Sequence, residues 1–105
     1  MSTTGQGGRV TVHIDKDIEG LIPEYIEMTK KDIETIQAAL GNRDYETIKR
    51  LGHNLKGSGG GYGFDGITEI GRNLEQHAGN KAHEELGRWV GMLTEYFDGI
   101  DIVYE

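Results

Sequence analysis

The stretch Leu51–Phe64, LGHNLKGSGGGYGF, brings together an imidazole, a lysine and a run of glycines. Near neutral pH much of an exposed imidazole is unprotonated and therefore nucleophilic. Spacing of three and four residues on a helix makes Lys49, Arg50, Lys56 and Gly57 the neighbours of His53. Positive charges at those positions disfavour the imidazolium form and favour an arriving phosphoryl dianion. Phosphoryl transfer asks a protein for positioning and charge neutralisation more than for covalent help, so a histidine with one or two flanking cations is enough for a carrier. His13, His77 and His83 are scattered along the chain without convergent carboxylates, which argues against a metal centre.

These side chains need a scaffold that keeps His53 outward. On a helical wheel with Ile48 at zero, Leu55 and Gly59 fall within about 20° and His53 falls about 140° away, on the solvent side. Gly60, two turns beyond His53, lies on the same stripe. Four glycines among residues 57–61 cost a helix roughly 2–4 kcal/mol relative to alanine. Propensity alone ends the helix at Gly57. Continuation requires that the glycines serve close approach, Gly59 inward to a neighbouring helix and Gly57 and Gly60 outward to a partner.

The rest of the chain supplies the scaffold. Ile22, Ile26, Thr29, Ile33, Ile36 and Leu40 recur at intervals of four and three, one face of a first helix. Pro23 suits its first turn, and Gly41–Asn42 suit its end. A second helix starts near Asp44, with Tyr45, Ile48, Leu51, Gly52 and Leu55 inward, and breaks at Gly63. A third carries Phe64, Ile67, Ile70, Gly71, Leu74 and Ala78 and ends at Gly79–Asn80. A fourth carries Ala82, Leu86, Trp89, Val90, Leu93 and Phe97. Four amphipathic helices with tight turns imply an all-α fold, an antiparallel up-down-up-down bundle. Residues 9–14 and 100–104 alternate apolar and polar, which fits a short terminal β-ribbon. Asp15 is placed to cap a short turn over 16–21. The expected organisation is a disordered lead-in over 1–8, without the apolar stretch of a secretory signal, and one domain over 9–105.

Composition narrows the partners. The 105 residues include no cysteine and carry a net charge of −7, so thiolate sites are excluded and nucleic acid is a poor partner. No apolar run reaches the roughly 20 residues of a membrane span. Both features point to a cytoplasmic protein, with a monomer as the expected state. Gly61, Gly63 and Gly66 spell G-x-G-x-x-G, but no strand precedes them and no second βαβ unit fits.

The His53, Lys56, Gly57, Ser58, Gly60 and Gly63 pattern, with Leu74, Glu75 and Ala78 later, resembles the histidine-containing phosphotransfer (HPt) family over roughly residues 15–98. The resemblance implies a four-helix bundle whose second helix continues through the glycines. It implies that His53 is the phosphoacceptor, on Nε2, and that Lys56 stabilises the phosphoryl group. Lys49, Arg50, Gly57 and Gly60 would then meet the partner, a response-regulator receiver domain or a hybrid sensor histidine kinase. The chain would be a carrier with no kinase site and no cofactor of its own, Mg²⁺ being brought by the receiver. The alternative is a helical docking module that has dropped phosphotransfer. The retained His–Lys–Gly constellation argues against it.

Overall fold

The computed structural model describes residues 10–105, so the lead-in expected over 1–8 lies outside the described residues. Strand β1 (Val10–Ile14) leads through a 3-10 turn (Lys16–Leu21) into α1 (Ile22–Gly41). Then follow α2 (Tyr45–Gly59), a second 3-10 turn (Gly60–Tyr62), α3 (Asp65–Gly79), α4 (His83–Asp98) and strand β2 (Ile100–Tyr104). The four helices form the bundle that the periodicity predicts. Its core is mainly aliphatic, with Ile22, Ile36, Ile48, Leu55, Ile67, Leu74, Leu86 and Leu93 all but inaccessible and Phe64 buried among them. Tyr25 and Ala39 take the deep positions on α1 where the periodicity places Ile26 and Leu40, which are half-buried instead. Trp89 and Phe97 likewise sit at the core's margin rather than within it.

Local chemistry sets the boundaries. The Asp15 carboxylate accepts from the Asp17 amide at 2.8 Å and starts the 3-10 turn. Asp44 caps α2 by accepting from the Thr47 amide at 3.2 Å and the Thr47 hydroxyl at 2.6 Å. The helix ends differ from expectation in one respect. Neither glycine nor asparagine takes the left-handed position that closes α1 and α3: Arg43 does so at φ 56° and Lys81 at φ 55°. The two turns are alike, Gly41-Asn42-Arg43 and Gly79-Asn80-Lys81. In each, the residue after the cation donates its amide five residues back, Asp44 to Ala39 at 2.8 Å and Ala82 to His77 at 2.9 Å. A cation at the negative end of a helix is favourable, which offsets part of the left-handed strain.

The terminal ribbon exists and is parallel, with Val10 opposite Ile100 and Ile14 opposite Tyr104. Val12 and Ile14 face the core while Thr11 and His13 face solvent, the alternation read from sequence.

The helix pair that matters for function is α2 and α3, which touch backbone to backbone. A Cβ on Gly52 would lie 2.8 Å from the Glu75 amide, and one on Gly71 would lie 2.5 Å from the Lys56 amide. Only glycine permits that crossing, and it brings the middle of α3 directly against the turn that carries His53.

Candidate functional site

α2 continues as an α-helix through Gly57, Ser58 and Gly59 and then tightens into one 3-10 turn, against bare glycine propensity. Three interactions hold it. Tyr62 and Phe64 stack on Tyr25 of α1, with ring centroids at 4.3 and 5.4 Å. The Thr68 hydroxyl donates to the Lys56 carbonyl at 3.2 Å and accepts from the Gly60 amide at 2.7 Å. Gly63, at φ 92°, turns the chain, and the Phe64 amide returns to the Gly59 carbonyl at 2.8 Å. Gly59 is buried against Ile67 and Thr68, as its inward placement requires.

His53 projects from this rigid helix with its side chain 64% exposed. It does not stand alone among cations, as the wheel of α2 by itself suggests. Its Nδ1 lies 3.0 Å from Oε2 of Glu75, and the other carboxylate oxygen of Glu75 accepts from Lys56 Nζ at 2.8 Å. One carboxylate from α3 therefore holds both members of the pair. The α2–α3 glycine crossing places it there, and no reading of α2 alone could. The only signals in sequence were the Leu74-Glu75-x-x-Ala78 pattern and the glycines at 52 and 71.

The electrostatics are consistent. The hydrogen bond from Lys56 is the main reason that the Glu75 carboxyl sits below its ordinary range, with His53 adding to the effect. Glu75 is then ionised near neutral pH and can only accept, so Nδ1 of a neutral His53 must carry the proton. The lone pair is left on Nε2, which has no hydrogen-bond partner among the described residues. Such an imidazole is a nucleophile at Nε2 with a lysine ammonium close by.

Lys49 and Arg50 are exposed and line a groove with Glu46, His53, Asn54 and Glu75. Arg50 also faces Asp32 of α1, whose carboxyl is pushed up by burial and partly relieved by that guanidinium. Gly57 opens onto free space. Gly60 is exposed but less open than its stripe implies, because a Cβ there would meet the Thr68 hydroxyl at 3.3 Å. No described helix is long and apolar enough to cross a membrane. The family model described as Hpt domain matches residues 20–100. No curated protein and no solved structure gives a match.

Proposed function

The chain belongs to the Hpt domain family, whose members are phosphocarriers in phosphorelay signalling, and from that premise we propose that His53 accepts a phosphoryl group from the aspartyl phosphate of a receiver domain and hands it on. The observation that carries the reading is the Glu75 bridge, which accepts from Nδ1–H, so that the ring proton stays on that nitrogen and the lone pair is left on Nε2.

The step follows from this geometry. The Nε2 lone pair attacks the phosphorus, and the P–O bond to the partner's aspartate breaks. The electron pair leaves with that carboxylate. The Nδ1 proton stays on the ring against Glu75, so no base is needed for the ring to form its new bond. Lys56 is near enough to swing from Glu75 to the phosphoryl oxygens and offset their charge. Lys49, Arg50, Gly57 and Gly60 are assigned to the docking surface around His53. A divalent cation, where one is needed, belongs to the partner's acidic pocket. Receiver domains or a hybrid sensor kinase are the proposed partners, and the cytoplasm the proposed setting.

The test is incubation with a panel of phosphorylated receiver domains. Acid-labile, base-stable phosphate on this chain is expected, and none on His53→Gln, whose helical circular dichroism should match the parent because His53 has no core contacts. Phosphate uptake by His53→Gln at the parent rate would sink the proposal.

A further inference from the structure

Four large apolar side chains stay exposed among the described residues: Leu21, Met28, Met92 and Val103. Leu21 and Met28 line the groove between α1 and α2 that reaches Asn54, the neighbour of His53, so they adjoin the surface already assigned to transfer. Val103 stands on the terminal ribbon. Met92 is on α4, which packs against α1 and α3 and lies diagonally across the bundle from α2. Phosphoryl transfer at His53 gives it no task.

The residues around Met92 form a pattern. At about 100° per residue, Glu84, Arg88, Gly91, Met92 and Glu95 fall within an arc of about 100° on α4, opposite the buried Leu86, Val90 and Leu93. All five are exposed. Glu95 has no ion-pair partner among the described residues, and Arg88 has Glu85, at 3.2 Å on its own helix. A Cβ on Gly91 would meet nothing within 4 Å. In chain order the stripe is acid, cation, bare backbone, methionine, acid, and it complements itself when reversed. A two-fold axis between Gly91 and Met92 sets Arg88 opposite Glu95 of a second copy and Glu95 opposite its Arg88. Met92 meets its own counterpart at the axis, and Gly91 lets the two backbones approach. Glu84 comes opposite Gly99 instead of a like charge. Glu85 and Asp98 fall on opposite flanks of the stripe and do not meet. The facing charges therefore cancel, which is what two chains of −7 each need in order to touch.

We propose that α4 pairs antiparallel with α4 of a second copy of this chain, through two Arg88–Glu95 ion pairs on either side of a Met92–Met92 contact. One helix face is a small interface, so the pairing is weak and replaces the expected monomer only at high concentration. Both His53 side chains stay open on the far side of the bundle. The pairing stands independently of the carrier reading.

The test is sedimentation velocity from about 10 μM to 1 mM, a span that brackets a weak contact. The parent should shift from monomer toward dimer across it. Arg88→Glu puts a carboxylate opposite Glu95, and Glu95→Arg puts a guanidinium opposite Arg88. Each variant alone should associate at least about tenfold more weakly than the parent. Both positions are exposed, so helical circular dichroism should be unchanged. An equimolar mixture of the two restores opposite charges at both contacts and should recover the dimer. In the parent, the Met92 methyl NMR signal should move with concentration and the His53 ring signals should not. A parent that stays monomeric at 1 mM, single variants that pair as well as the parent, a mixture that fails to recover pairing, or His53 signals that move while Met92 stays fixed would each overturn the proposal.

Discussion

His53 and Lys56 were visible in sequence because their spacing of three residues puts them on one turn of one helix. Glu75 is not legible in the same way, because it lies 22 residues from His53 and arrives through tertiary packing. Its part in the site can be measured directly. Lys56→Met removes the largest influence that lowers the Glu75 carboxyl, so the carbon-detected NMR titration of Glu75 should move up toward the ordinary glutamate range. An unmoved midpoint would show that the 2.8 Å contact is not formed in solution. The sign for stability follows from the same shift. A depressed carboxyl in the folded state contributes stability above the ordinary glutamate pKa, and that contribution disappears as pH falls through the lowered value. Glu75→Ala should also slow phosphoryl acceptance by roughly 10–100-fold, the scale on which a metal-bound imidazole suffers when its orienting carboxylate is removed. Glu75→Gln, which can still accept from Nδ1–H, should recover much of that loss. An equal defect in both would mean that the negative charge, rather than the orientation, is what matters.

At the level of elements, the four helices were legible because each has a continuous apolar stripe, and such stripes are insensitive to local detail. The left-handed closing residues were less so. Gly41-Asn42 and Gly79-Asn80 announce a helix end, yet the strained position falls one residue later on a cation, where hydrogen bonding back to the helix and the dipole outweigh intrinsic preference. Survival of α2 through its glycines was also illegible from propensity. The restoring interactions come from Tyr25 on α1 and Thr68 on α3, which are not local to the helix, together with the turn at Gly63 that closes its end. The glycines divide accordingly into those that need to be glycine and those that do not. Gly71→Ala drives a Cβ to 2.5 Å from the Lys56 amide and 2.7 Å from the Gly52 carbonyl. Both are backbone atoms, so the helices must separate. A loss of about 1–3 kcal/mol is expected in urea unfolding, accompanied by loss of the Glu75–His53 contact and slower transfer. Gly57→Ala meets nothing within 4 Å. It should gain up to about 1 kcal/mol from helix propensity. Equal effects of the two substitutions would remove the α2–α3 crossing from the explanation of the site.

For the whole molecule, the question is what two five-residue strands at the chain ends contribute to a bundle. A pair of strands is marginal alone, and the sequence could show their alternation but not their parallel register, which depends on the path of everything between them. Their value must come from burial rather than from the ladder. Ile14 is 1% exposed, and its side chain packs over the turn at Gly63, where a Cβ would sit 3.3 Å from Ile14 Cγ1. β1 therefore rests on the segment that terminates α2. His13, its neighbour, is bonded to Glu105 at 2.7 Å, but both side chains are more than half exposed. The comparison separates the two kinds of contact. Ile14→Ala should cost about 2–5 kcal/mol, the range for deleting a buried aliphatic side chain. His13→Ala should change stability by no more than about 1 kcal/mol despite the shorter contact, because water competes for both partners. The larger effect should also reach the site's scaffold. In Ile14→Ala, the Gly63 and Phe64 amides, which close the end of α2 onto Gly60 and Gly59, should exchange with deuterium faster than core amides of α3, beyond the loss of global stability. Uniform acceleration across the bundle would place the ribbon's contribution in overall stability alone, and the glycine-rich end of α2 would then owe its order to Tyr25 and Thr68 without help from the strands.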